Sequence, residues 1–200
     1  MDFKNTSWIK RAAFTLPELL VAVGSGGLVL ATIATMFLHT GRSFVGMYQY
    51  VDMDQQSRHA LDRISLDLRG MARVASYSAV NANGDDEPGG LTNIRRITIV
   101  PPNNAPNTNL ITYRYRPLLK RLQRTQSGTS TEILLEGCDY FQFSVFQRGM
   151  VAGSFTPVDT TNAALAKQIR MDWRCSRELF AGQRLYTESV QSAKFILRVP

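Results

Sequence analysis

The chain has 200 residues, 44% of them hydrophobic and 20% charged, enough for one compact domain plus one extra element and too few for a second full domain. Of its net charge of +7, a net +2 lies in the first eleven residues, where Lys4, Lys10 and Arg11 outweigh Asp2, and the remaining +5 is spread too thinly to mark a nucleic-acid partner. Cys138 and Cys175 are the only cysteines, and with no C-x-x-C and no zinc-ligand spacing neither a metal framework nor a cofactor is expected.

The first element follows a basic leader, residues 1–13. From Phe14 to Leu38 the sequence reads FTLPELLVAVGSGGLVLATIATMFL, with Glu18 the only ionisable side chain among twenty-five residues. At 1.5 Å per residue such a helix spans the roughly 30 Å hydrocarbon core of a bilayer. The leader's basic residues, with Arg42 and Arg58 the nearest on the far side, place the N-terminus in the cytoplasm and the bulk of the chain outside. A cleaved secretory signal ending at Val29-Leu30-Ala31 is the plain alternative, and an uncleaved signal anchor is another. The apolar run is longer than the signal's usual 7 to 15 residues and continues past that site. Gly24-Ser25-Gly26-Gly27 is either a close-packing face for neighbouring helices or simply a pliable stretch of membrane helix.

A carboxylate in a membrane helix is expensive, roughly 2.5 kcal/mol or more at the bilayer centre, so Glu18 needs a reason. Lys10-Arg11-Ala12-Ala13 followed by Phe14-Thr15-Leu16-Pro17-Glu18-Leu19-Leu20-Val21 resembles the class III signal of type IV prepilins and type II secretion pseudopilins. In that family a peptidase cuts before the Phe and methylates the new amine, which here implies cleavage between Ala13 and Phe14. The family usually carries Gly before the cut, and this chain keeps a small residue there. The resemblance further implies that Glu18, fifth in the mature chain, pairs with the N-terminal amine of a neighbouring subunit. Pro17 favours a helix that starts at Phe14, because its missing N–H then falls in the first turn, where no intrahelical partner exists.

Beyond Leu38, Leu61, Ile64, Leu68, Met71 and Ala75 recur at spacings of three and four, which predicts an amphipathic continuation over 39–75 with its helical signal running to about Arg73. Gly41 and Gly46 are candidate bends at the membrane surface. Asp54 and Arg58, and Arg63 and Asp67, form i,i+4 pairs that suit a solvated helix face. The stretch from Gln56 to Arg69, QSRHALDRISLDLR, resembles the post-membrane helix of J-type minor pseudopilins and PilW-type minor pilins.

NANGDDEPGG, residues 81–90, reads as an exposed turn; its oxygen ligands raise a calcium loop as an alternative, but the spacing does not match an EF-hand. Period-two alternation follows at Ile97 and Ile99, Tyr113 and Tyr115, Phe141, Phe143 and Val145, Ile169, Met171 and Trp173, and Phe195, Leu197 and Val199, predicting an antiparallel sheet with one buried face. The fold class is therefore α+β: a long N-terminal helix, membrane-spanning in its first half, packed on an antiparallel sheet over 76–200. The order of these motifs, with Ile133-Leu134-Leu135-Glu136-Gly137 before an aromatic strand and Ala193 to Arg198 closing the chain, is similar to the J/PilW pattern over nearly the whole length.

In an oxidising compartment Cys138 and Cys175, both at strand ends, are expected to pair; two buried free thiols are the alternative. The segment YRYRPLLKRLQR groups Arg114, Arg116, Lys120, Arg121 and Arg124 with aromatics. On a strand, Tyr113 and Tyr115 point away from Arg114 and Arg116, so a base-stacking nucleic-acid platform is not expected there. His39 and His59, about 30 Å apart along one helix, cannot share a site. No nucleophile or metal-hydrolase motif is present, so the chain is not expected to be an enzyme. The resemblance implies a minor pilin or pseudopilin in the inner membrane that contacts pilin-like subunits and the prepilin peptidase, joins a small tip complex and primes assembly. The rival reading is a membrane-tethered module that binds a secreted substrate or DNA.

Overall fold

The computed structural model describes residues 15–81, 86–87, 93–102, 109–129, 131–151, 153–178 and 186–197. The chain divides into two units, Met1–Val45 and Gly46–Pro200, and the division falls inside one helix, α1 (Leu16–Gly70). The part of α1 in the first unit is long and apolar enough to cross a membrane, and its described residues are exposed. Three of its hydroxyl groups bond within the helix: Ser25 donates to the carbonyl of Ala22, Thr32 to that of Val29 and Thr35 to that of Thr32. That matters in a solvent where an unpaired polar group is costly.

In the second unit α1 becomes amphipathic. Met53, Ser57, Ala60, Ile64 and Leu68 form a buried stripe at spacings of three and four, and its apolar members join the strand residues in one core. That sheet contains ten strands among the described residues: β1 (Arg73–Val80), β2 (Asp86–Glu87), β3 (Ile94–Val100), β4 (Ile111–Arg116), β5 (Arg121–Gln126), β6 (Glu132–Glu136), β7 (Cys138–Val151), β8 (Ser154–Asp159), β9 (Gln168–Glu178) and β10 (Tyr186–Ile196). The order is β10-β9-β7-β3-β4-β5-β6, with β1 on β3, β2 on β1 and β8 on β7, all antiparallel. The architecture is α+β, as the alternating pattern requires: one face of the sheet must be covered, and the helix stripe covers it.

The residues chosen by alternation build this core. Ile97, Ile99, Tyr113, Tyr115, Phe141, Phe143, Val145, Ile169, Met171 and Trp173 are each at most 2% exposed. Leu197 is buried and Phe195 packs at the margin, while Val199 lies outside the described residues. Trp173 reaches up from β9 and donates from its indole N–H to Ser57 Oγ of α1 at 3.4 Å.

Three expectations need correction. The helix stops at Gly70, short of Arg73 and of the expected limit of 75, because the Ala72 N–H already bonds to Val100 O and β1 then pairs with β3. Gly70 weakens the helix where this competing ladder is on offer. Ala75 consequently sits exposed on a strand, and Val74 takes the buried position. Within the presumed turn at 81–90, Asp86 and Glu87 pair with Val80 and Ala79 as β2; the remainder of the calcium-loop candidate, beyond Asn81, lies outside the described residues. Finally, Asp67 does not serve a solvated i,i+4 pair with Arg63 but turns inward to Arg124.

Candidate functional site

Of the processing residues, Ala13 and Phe14 lie outside the described residues. Glu18 is in the first turn of α1. Its carboxylate accepts from the Thr15 N–H at 3.5 Å and from the Thr15 hydroxyl at 3.4 Å, while the Thr15 carbonyl accepts the first intrahelical bond, from Leu19, at 3.1 Å. Thr15-Leu16-Pro17-Glu18 is therefore one arm of a capping box, with the Glu side chain reaching back over the open end of the helix. The T-x-x-E spacing carries that signal in the sequence itself. Pro17, second in the helix, needs no N–H there. Glu18 remains exposed, available to a partner as well as to its own helix end.

Cys138 and Cys175 face each other in the register of β7 and β9 and are joined by a disulfide. Around it a polar strap ties helix to sheet. Arg177 donates to the Glu136 carbonyl at 2.9 Å and to Gln56 Oε1 of α1 at 3.2 Å, and lies 3.8 Å from Asp52. Gly137, at φ +66°, makes the turn from β6 into β7; a Cβ there would stand 1.9 Å from Arg177 Nη1 and 3.0 Å from the Ser176 carbonyl oxygen. Burial works against the ionised form of Asp139, but hydrogen bonds from Lys120 and Ser176 outweigh it and hold the carboxyl below its usual range.

The strongest electrostatic feature is internal. Asp67 of α1 accepts from Arg124 Nε at 2.7 Å and from the Tyr113 hydroxyl on the same oxygen. Glu132 stands further out, 3.8 Å from Arg124 and 3.7 Å from Arg63. Burial opposes the Arg124 cation, yet the hydrogen bond and charge of Asp67 win and raise its pKa. Burial first, and then the Asp67 carboxylate, push Tyr113 well above a normal tyrosine; burial also raises Tyr77 and Tyr115. A tyrosine whose folded pKa exceeds its unfolded value contributes stability that is complete below the unfolded value near 10 and is lost as pH rises beyond it. The urea midpoint of the second unit should thus hold steady from pH 7 to 9 and fall above pH 10; an unchanged midpoint at pH 11 would contradict the burial of these rings.

Tyr113 and Tyr115 are buried and Arg116 is exposed on the opposite face, so the basic segment offers no surface where rings and cations lie together. Arg124, counted with that segment, is in the core instead. His39 and His59 are both exposed, twenty residues apart on α1. Among the described residues no group of three His, Cys, Asp or Glu side chains could hold a metal ion. Comparison with family models and with curated proteins finds no match to this chain.

Proposed function

We propose that this chain is a minor pilin or pseudopilin, a structural subunit that helps to initiate or cap a type IV pilus or a type II secretion pseudopilus. The observation that carries the reading is Glu18: a single carboxylate in the first turn of an apolar helix whose second part covers a sheet with its stripe from Met53 to Leu68. A carboxylate at that depth calls for a counter-charge, and the amine created by cleavage between Ala13 and Phe14 is of the right sign. In this reading the chain crosses the inner membrane once, N-terminus inside and sheet unit outside. The prepilin peptidase trims and methylates it at Phe14, and the apolar helix then packs against the helices of other pilin-like subunits. The disulfide suits an oxidising, extracytoplasmic setting.

The helix cap at Thr15 gives Glu18 a second, purely local role, and one substitution separates the two. Glutamine can occupy the same capping position without the charge. Glu18→Gln should therefore leave the helix and membrane insertion intact while abolishing incorporation into the assembly; a variant that assembles normally would reduce Glu18 to a cap. Before that, intact mass and N-terminal sequencing of the protein from its native membrane should find a chain starting at methylated Phe14. A chain that keeps residues 1–13 would remove the assembly reading and leave a tethered binding module.

A further inference from the structure

The two ends of the main sheet are built differently. At one end β6 has only five residues, shifts register against β5 beside Leu122, and carries Glu132 and Glu136, both engaged by arginines. Shortness, irregularity and charge are the usual means by which an edge is kept from pairing with another chain. At the other end β10 runs for eleven residues in unbroken register, and among the described residues it pairs with β9 alone. It has no bulge and no proline, and Val190 and Ile196 are 73% and 75% exposed.

The direction of the unpaired backbone can be assigned. The Leu197 N–H donates to the Lys167 carbonyl at 2.8 Å, in line with the β9/β10 register. Since backbone groups of successive residues alternate in direction, those of Gln191, Ala193 and Phe195 face β9, and those of Val190, Ser192 and Lys194 face outward. On the sheet surface away from α1, Lys194 stands directly opposite Arg170. Like charges across a pair are unfavourable, and Asp172 is already held by Arg170 at 2.9 Å. Lys194 has no carboxylate partner among the described residues. Next to it a depression of about 430 Å³, lined in part by Tyr140, Arg174, Val190 and Ser192, opens on the same surface.

We propose that the open edge of β10 receives an extended segment of another polypeptide as an added antiparallel strand, with an acidic residue opposite Lys194 and apolar residues opposite Val190 and Ile196. The outward amides of Val190, Ser192 and Lys194 supply the ladder, the carboxylate relieves the Lys194–Arg170 repulsion, and the apolar residue opposite Val190 leans over the depression. A second copy of β10 fits less well. Setting its Glu188 opposite Lys194 places Tyr186 against Ile196 but Val190 against Ser192, which leaves Val190, beside the depression, without an apolar partner. The inference does not depend on the assembly reading, since a tethered module would present the same edge.

The test uses the full chain in detergent and a short capped peptide in which valine, glutamate, threonine and valine alternate with threonines, in the order that meets Ile196, Lys194, Ser192 and Val190. Binding should slow hydrogen exchange at the amides of Val190, Ser192 and Lys194 while leaving those of Gln191 and Ala193, already in the ladder, unchanged. Lys194→Glu should weaken binding by about three- to fivefold, the scale of a cross-strand charge pair, and a peptide with lysine for glutamate should recover it. Ser192→Pro removes one outward N–H without touching the β9 ladder and should abolish binding while the Cys138–Cys175 disulfide and the near-ultraviolet signal of Trp173 persist. No binding, binding indifferent to both substitutions, protection at β6 instead, or self-association through β10 that excludes the peptide would each overturn the proposal.

Discussion

Arg124→Met is expected to destabilise the sheet unit by about 3–5 kcal/mol, the range for breaking one side of a buried ion pair. The Arg124 side chain is 7% exposed and that of Asp67 12%, so neither charge can turn to water when the other is removed. In the variant Asp67 keeps, among the described residues, only the Tyr113 hydroxyl as a donor. Asp67→Leu should be similarly damaging, because the guanidinium is then left with Glu132 at 3.8 Å and a 3.4 Å bond to Gln126. Replacing both together should recover much of the loss, since an apolar pair of similar volume often substitutes for a buried ion pair at little net cost. What remains, about 1–3 kcal/mol, is the stranded Tyr113 hydroxyl, and adding Tyr113→Phe should remove most of it. Urea titrations of the full chain in detergent, followed by near-ultraviolet circular dichroism, give the four values. A single Arg124→Met that shifts stability by less than about 1 kcal/mol would mean that the pair is solvated and the network is not internal.

This network shows where reading the sequence stopped. Alternation located the core strands because each places large apolar side chains at every second position, a pattern with one physical interpretation. Arg124 shares the parity of Leu122, which is fully buried, so the strand itself directed the arginine inward. What could not be read was the partner, because the Asp67 that makes this tolerable is fifty-seven residues away on another element. Along α1 the same thing happened in reverse: Arg63 offered Asp67 a local i,i+4 partner, but the largely buried carboxylate accepts instead from both the Arg124 guanidinium and the Tyr113 hydroxyl. The helix end was misplaced because Met71 and Ala75 continue the three-and-four spacing, whereas β1 buries Val74 and leaves Ala75 exposed. At the candidate assembly site Ala13 and Phe14 lie outside the described residues, and around Glu18 the structure adds the Thr15 cap, a local motif that needs no tertiary knowledge.

The disulfide sets the second large effect. Cys138→Ala with Cys175→Ala is expected to lower stability by about 3–4 kcal/mol in the chain-entropy account, because the bond closes a loop with a sequence separation of 37 residues. The fold should survive, for β7 and β9 still pair from Tyr140 with Arg174 to Phe146 with Gln168, and Tyr115 and Arg177 still hold the chain on either side of the turn at Gly137. Both cysteines are buried, Cys138 completely, so a thiol reductant has to wait for the strands to open. Reduction should be slow in native conditions and accelerate steeply in urea below the unfolding midpoint. The same arithmetic applies to production: sheet unit made in a reducing cytoplasm should match the double alanine variant in stability, and should gain the full difference on oxidation. Equal stability before and after oxidation would mean that the unfolded chain already holds the two cysteines close, which would move the stabilisation from the bond to the β7–β9 pairing itself.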